Sequence, residues 1–317
     1  MASLKIDDGS IPDLTGKVAL ITGGSSGIGF AAAKILLSKN ATVHVLDVNE
    51  PSGASPGDVE PWQSWPTFHF HRCNAASWAE QLAVFDAVGR VDMVFPNAGV
   101  SEAHDYFTHA SLADGQEPGY ANMLDVNLVG VLHTLTLARR SMRAHSVKEG
   151  SVVITISAVA YAPEQSLPVF AASKFALVGL VRALRSTMLA EEGITINGVA
   201  PAATITNLLP PHLAAPIAAM GLPISDAMFV GRALVYAATA KQDRRVEVYG
   251  KESDADLWPR GGQEERWNGR VILTLGDTYT ELESSISDLR PYWFGQENLR
   301  LTRAQQAATD FRENIKE

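Results

Sequence analysis

Cysteine is nearly absent: the 317 residues hold one, Cys73, which excludes an internal disulfide framework and fits a reducing compartment. Within Phe68-His-Phe-His-Arg-Cys73 it reads as a strand residue, a structural thiol rather than a nucleophile. Charge is sparse, at 19% of residues, and the balance is acidic, with a net charge of −9. That excludes the clustered Lys and Arg of a nucleic-acid surface. No uninterrupted apolar stretch reaches the length of a bilayer span. The opening residues, Met1-Ala-Ser-Leu-Lys-Ile-Asp-Asp8, lack the apolar core of a signal peptide. His104 and His109 have no third ligand at a suitable spacing, so no metal site is expected and both read as loop residues. A cytoplasmic chain with neither nucleic-acid partner nor membrane span follows. Apolar residues are plentiful, and at 46% they suffice for a large core.

Lys17-Val-Ala-Leu-Ile21 is apolar without alternation, as a strand buried on both faces requires. Thr22-Gly-Gly-Ser-Ser-Gly-Ile-Gly29 follows, then helical composition over residues 30–37. Strand, glycine turn and helix form the context in which such a turn binds a nucleotide. The glycines let the backbone approach a pyrophosphate, and the helix N-terminus offers free N–H groups. A second strand, Thr42-Val-His-Val-Leu46, ends at Asp47. An acidic residue about 20 positions past the glycines is placed to accept from both ribose hydroxyls of NAD and repels a 2′-phosphate. No Arg or Lys lies in the turn or directly after Asp47, so NAD is favoured over NADP.

Residues 51–66 read as a surface loop, 67–72 as a third strand, and Asn74-Ala75 as the border of an adenine site. A helix over 77–88 has Trp78, Leu82 and Phe85 on one side. Val91-Asp-Met-Val-Phe95 is a fourth strand, ending in Pro96-Asn97-Ala98-Gly99. A long helix over 119–144 carries Asn127 among apolar residues, where a buried amide needs partners. Ser151-Val-Val-Ile-Thr-Ile156 is a fifth strand ending at Ser157, and a helix over 169–191 carries Ser173-Lys174. Ile194-Thr-Ile-Asn-Gly-Val199 is a sixth strand, followed by Pro201-Ala-Ala-Thr-Ile-Thr206. The alternation implies an α/β fold: a Rossmann-type doubly wound parallel sheet of about seven strands, with helices on both faces. Gly23, Asp47, Asn74, Asn97, Ser157 and Pro201 all follow strand ends, and ligands in such sheets sit outside the carboxyl ends.

These motifs resemble the short-chain dehydrogenase/reductase family, with a more distant likeness to fungal members similar to 15-hydroxyprostaglandin dehydrogenases. The likeness runs over about residues 14–240, with a last strand at 270–275. It implies one domain over 1–317, a substrate lid at 204–230, an insertion at 241–268 and a C-terminal extension at 278–317. The lid is apolar and rich in proline, which implies a hydrophobic small-molecule substrate; His212 within it reads as a surface or packing residue. A helix is expected over 299–315, and Tyr292-Trp293-Phe294 is expected to pack on the body or on a neighbouring subunit. A homodimer or homotetramer, paired through the helices of Asn127 and Lys174, is implied. The implied cofactor-binding set is Gly23, Ser25, Ser26, Gly27, Ile28, Gly29, Asp47, Val48, Asn74, Ala75, Asn97, Ala98, Gly99, Lys174, Pro201, Thr204 and Thr206.

The resemblance implies a catalytic Asn-Ser-Tyr-Lys set, mapping to Asn127, Ser157, position 170 and Lys174. Asn127 would organise a proton-relay water, Ser157 would hold the substrate oxygen, and Lys174 would bind the nicotinamide ribose and lower the tyrosine pKa. The tyrosine is missing: Phe170 stands there, with no atom that donates, accepts or ionises. Ala202 replaces the usual glycine after Pro201, and Asn74 replaces a common aspartate. Three accounts follow from Phe170. One is a dehydrogenase silenced by a Tyr→Phe exchange that removes one oxygen and keeps the packing. Another is a natural protein that borrows another donor, with Tyr161 the nearest in sequence. The third is a scaffold turned to isomerisation, dehydration or cyclisation, or to nucleotide binding without catalysis. The first is preferred because Asn127, Ser157 and Lys174 all keep the pattern; a pocket-wall role is preferred for Tyr161.

Overall fold

Ala19 and Ile21 bury to one side of their strand and Leu20 to the other, so this run packs on two helical layers at once. The structure is a computed structural model that describes residues 3–51, 62–102, 106–107, 119–250, 252–258 and 264–309. The strands are β1 (Ser3–Leu4), β2 (Val18–Thr22), β3 (Thr42–Asp47), β4 (Phe68–Arg72), β5 (Met93–Pro96), β6 (Ser151–Thr155), β7 (Thr195–Pro201), β8 (Lys241–Gln242), β9 (Glu265–Arg266), β10 (Val271–Leu275) and β11 (Thr278–Glu281). The main helices are α1 (Gly27–Ser38), α2 (Trp78–Val88), α3 (Ala121–Ala144), α4 (Pro168–Glu192), α5 (Pro211–Ala219), α6 (Ala227–Thr239), α7 (Glu283–Asp288), α8 (Arg290–Phe294) and α9 (Gln296–Ala308).

The large sheet runs β1-β11-β10-β7-β6-β5-β2-β3-β4. It is parallel from β10 to β4, while β11 and β1 add antiparallel pairs at one edge. The sheet thus has nine strands where about seven were expected. Gly276, at φ 59°, opens a tight Gly276-Asp277 turn that returns Leu275 onto Thr278. That short hairpin supplies β11, and β11 recruits the two-residue β1.

From β2 the chain winds outward through β3 and β4, then reverses through β5, β6 and β7. The reversal beside β2 is a topological switch point, the place where such sheets bind ligands at their carboxyl edge. One face of the sheet is covered by α1 and α6, which bury Leu36, Val230 and Leu234 against Val43 and Val199. The other is covered by α2, α3 and α4, which bury Phe85, Leu135, Met142, Leu177 and Val181 against Val94 and Ile154. α3 is long and apolar enough by composition to cross a membrane, yet Val131, Leu135, Ala138 and Met142 pack it into this core.

Several expectations are corrected. Residues 52–61 lie outside the described residues, but Trp62 and Trp65 of the expected surface loop pack on the core, with Trp65 stacked 6.0 Å from Phe30. On α2 the buried residues are Gln81 and Phe85, while Trp78 faces outward. The expected irregular insertion contains the β8–β9 ladder and a short 3₁₀ turn, Asp254–Leu257. Of the two placements expected for Tyr292-Trp293-Phe294, packing on the body does not hold for Tyr292 and Trp293, which are 87% and 63% exposed. The helix expected over 299–315 is found at Gln296–Ala308, and its last residues lie outside the described ones, as do His104 and His109.

Candidate active site

The glycine turn is shaped by what packs on it. Gly23 adopts φ 65°, and a Cβ there would stand 2.7 Å from Ala98 Cα. A Cβ on Gly29 would stand 2.3 Å from the Gly23 carbonyl oxygen and 2.5 Å from Asn97 Nδ2. Asn97 stitches three strand ends together. Its Nδ2 donates to the carbonyls of Thr22 and Gly23, at 3.2 and 2.9 Å, and its Oδ1 accepts from Thr155 Oγ1 at 2.9 Å. The amides of Asn97 and Ala98 both donate to Thr22 Oγ1. Ser26 stands at the N-cap of α1 without making a side-chain cap, and Ile28 packs against the core. Ser25 Oγ is buried without a hydrogen-bond partner among the described residues. An orphan hydroxyl beside uncapped helix N–H groups, in a turn with no room for side chains, suits an anion such as a pyrophosphate.

Asp47 ends β3 against this turn: Oδ2 accepts from the Ser25 amide at 3.1 Å and Oδ1 from the Asn49 amide at 3.1 Å. The strand register sets Arg72 beside Asp47. Arg72 Nη1 donates to the carbonyl of Val48 at 2.6 Å, and Nη2 pairs with Glu50 at 3.2 Å. Arg72 reaches Asp47 across the sheet from β4, so no residue along β3 signals it. Asn74 Oδ1 accepts from the Ala76 amide at 3.0 Å, and the Ala75 carbonyl lies where a Cβ on Gly130 would come within 2.6 Å. Beyond β7, Thr204 is buried and donates to the Ala202 carbonyl, while Thr206 reaches back to Gly27, whose Cβ would sit 3.0 Å from its methyl. Pro201 links this segment to Ser157, whose Oγ donates to the Pro201 carbonyl at 3.4 Å.

Asn127 sits in a π-helical turn of α3, Asp125–Val129, a local unwinding common at functional sites. Its Oδ1 accepts from the Val100 amide at 2.8 Å. Its Nδ2 donates to the Val100 carbonyl at 2.9 Å and to Ser173 Oγ at 3.3 Å. The amide therefore ties the segment after β5 to α4. Lys174, one residue on, is buried, and its Nζ donates to the Thr155 carbonyl at 3.1 Å. Burial pushes its pKa down from 10.5 to about 8. A Cβ on Gly99 would lie 3.4 Å from Asn127 Oδ1 and 3.6 Å from Lys174 Nζ, so Gly99 keeps the backbone close to both.

Phe170 lies one turn before Lys174, buried among Tyr106, Met123 and Val169. Its amide donates to Glu102 Oε1 at 2.8 Å. The N-cap residue of α4, Leu167, makes no side-chain cap, so Glu102 serves the helix from a distant loop. No local sequence signal pairs these two residues. The hydroxyl of Tyr161 donates to Glu283 Oε1 at 2.8 Å, far along the chain, and burial together with that carboxylate holds its pKa well above the usual phenol value. Cys73 is buried and its thiol is pushed up to about 12, chiefly by burial.

The profile of the short chain dehydrogenase family matches residues 17–215, the span that carries every group described from the glycine turn to Thr206. The chain belongs to the short-chain dehydrogenase/reductase family. It is 48% identical over 321 residues to the short-chain dehydrogenase/reductase ATR7 of Stachybotrys chlorohalonatus (strain IBT 40285), covering 98% of this chain and 95% of that one. It is 50% identical over 315 residues to the short-chain dehydrogenase/reductase prx4 of Penicillium roqueforti, covering 98% and 90%. Its fold is similar to the crystal structure of a 3-ketoacyl-(acyl-carrier-protein) reductase from Brucella melitensis complexed with NADH, at TM-score 0.59 and 22% identity over 71% of this chain and 92% of that one. As a member of this family the protein is an oxidoreductase. The family's mapped positions fall in two groups along the carboxyl edge: the glycine turn with Asp47 and Asn97, and Asn127 with Phe170, Ser173 and Lys174. Ser157 joins them through Pro201.

Proposed function

We propose that this protein holds NAD(H) along the carboxyl edge of its sheet, and that the site is built for hydride transfer to or from a hydrophobic secondary alcohol or ketone. In this chain Phe170 silences that transfer. The reading is carried by one observation: buried Lys174 holds its Nζ 5.5 Å from the centre of the Phe170 ring, which lacks a hydroxyl, while Asn127 bonds to the neighbouring Ser173.

Gly23, Gly27 and Gly29, with the orphan Ser25 hydroxyl and Ser26 at the N-cap, would hold the pyrophosphate. Asp47 would accept from the adenosine ribose, and Val48, Asn74 and Ala75 would border the adenine. Asn97, Ala98, Gly99, Pro201, Thr204 and Thr206 would line the nicotinamide half. NAD is favoured over NADP because the Asp47 carboxylate faces the turn and repels a 2′-phosphate. When bound, the nicotinamide ring gives or takes the hydride. Lys174 spends one hydrogen bond on Thr155, and its remaining hydrogens suit a ribose hydroxyl. Ser157 Oγ would hold the substrate oxygen. Asn127 keeps Val100 and Ser173 in place rather than presenting a free amide. The proton of the substrate hydroxyl then has no acceptor at position 170, a loss of about 10²–10⁴-fold.

The apolar, exposed side chains of Leu208, Leu213, Met220 and Leu222 fit a lid at 204–230 over a hydrophobic substrate. Exposed Leu132 on α3 and Phe175 on α4 fit pairing of two copies through these helices, in a homodimer or homotetramer. The free, buried Cys73 suits a cytoplasmic location.

The test is a paired assay of NADH absorbance for this chain and for Phe170→Tyr, over a panel of hydrophobic secondary alcohols and ketones. Turnover by the tyrosine form alone supports the reading. Equal turnover by both would place the proton donor elsewhere. Binding of NADH without turnover by either would favour the non-redox alternative, an isomerase, dehydratase or cyclase.

A further inference from the structure

Outside the site, a buried carboxylate in the C-terminal extension takes four side-chain hydrogen bonds. Glu283 opens α7, and its side chain is 1% exposed. Oε1 accepts from the Tyr161 hydroxyl at 2.8 Å and from Arg182 Nη2 at 2.8 Å. Oε2 accepts from Arg182 Nε at 2.8 Å and from Arg185 Nη1 at 3.4 Å. Tyr161 closes the short turn Ala158–Ala160 that Ser157 caps, and Arg182 and Arg185 lie two and three turns beyond Lys174 on α4. One carboxylate therefore touches both the turn that begins at Ser157 and the helix that carries Lys174.

The carboxylate is itself held in place. The Glu283 amide donates to Glu281 Oε1 at 2.9 Å, and Glu281 pairs with Arg270 of the segment entering β10. Arg185 is shared with Glu247 of the insertion, which also takes Arg290 of α8. Replacing buried ion pairs with packed apolar groups often costs little stability, whereas such pairs can specify one arrangement over others. The network thus suits alignment of two elements better than added stability.

We propose that Glu283 is a positioning residue: it fixes the Ser157 turn against the Lys174 helix, which makes the C-terminal extension part of the site's framework. The proposal rests on the redox reading above for its effect on turnover, but not for its effect on the turn.

The experiment uses Tyr161→Phe, which removes one hydroxyl and leaves every ion pair, beside Glu283→Gln and the double variant. In the Phe170→Tyr protein, each single change should lower kcat about 10–100-fold with KM for NADH unchanged, since small misplacements of catalytic groups cost that much. The double variant should be no worse than the worse single, because both changes disturb the same Tyr161–Glu283 contact. In the parent chain, hydrogen exchange is read at the amides of Ala160, Tyr161 and Ala162, which donate to Ser157 and Ala158 carbonyls. Exchange there should quicken about tenfold in Tyr161→Phe while β6 keeps its protection. Unchanged kcat in Tyr161→Phe, or losses that add in the double variant, would overturn the proposal. If Phe170→Tyr turns over nothing, the redox reading has failed, and the exchange data decide alone: an unchanged turn refutes the role of Glu283.

Discussion

Lys174 Nζ stands 5.5 Å from the centre of the Phe170 ring, one helical turn away, with the Thr155 carbonyl as its acceptor and no carboxylate beside it among the described residues. Burial is the cause of its lowered pKa. The folded chain therefore sheds this proton near pH 8, while the unfolded chain keeps it to about 10.5. Over that window the unfolded state binds more protons, so this group makes stability rise with pH. The rise is up to about 3 kcal/mol at one pKa unit per 1.4 kcal/mol. Lys174→Met, uncharged and similar in length, should lose that slope. Urea midpoints of both proteins, below and above pH 8, check it.

Asp47 and Arg72 oppose each other at the expected ribose position. Removing the carboxylate in Asp47→Ser should weaken NADH binding about 10–100-fold, the worth of hydrogen bonds to a charged group. It should strengthen NADPH binding, since the carboxylate that repels a 2′-phosphate is gone and Arg72 lies beside that position in the strand register. Fluorescence titration with both cofactors reads the ratio, and adding Arg72→Ala should cancel the gain for NADPH.

Gly29 has no room for a side chain, with the Gly23 carbonyl 2.3 Å from its would-be Cβ. Gly29→Ala should cost about 1–3 kcal/mol through forced backbone movement. Because the same movement displaces the turn, NADH affinity should fall as well. Denaturant midpoints and a binding titration measure the two effects separately.

Glu102 caps α4 through the Phe170 amide, and its other oxygen, Oε2, is buried without a partner among the described residues. Glu102→Ala should destabilise the protein by about 1 kcal/mol, the usual worth of a helix cap. Glu102→Gln keeps an accepting oxygen and removes the charge, so it should cost less. Thermal unfolding of the two variants ranks them.

Much of the framework was legible along the chain. The short apolar runs at 18–21 and 152–154 read as strands buried on both faces, and the structure sets them inside the parallel sheet. The expected positions of Gly23, Asp47, Asn97 and Ser157 after strand ends fall along one edge for the same reason: parallel strands all point their carboxyl ends one way. The Gly276-Asp277 turn is a hairpin signal in the sequence, but the strand that follows it, Thr278–Glu281, falls within the expected C-terminal extension. The aromatic packing of Trp62 and Trp65 was hidden within a stretch rich in proline and glycine.

By itself the sequence determined the local physics: where the backbone turns, which runs must be buried, and that position 170 holds a ring that cannot ionise. Tertiary structure alone decided the pairings between distant segments. Arg72 meets Asp47 through strand register, Glu102 meets the Phe170 amide across 68 residues, and Glu283 meets Tyr161 across 122. No periodicity or spacing encodes such contacts, because they depend on how separately formed elements dock, and docking is governed by the whole buried surface rather than by any local stretch.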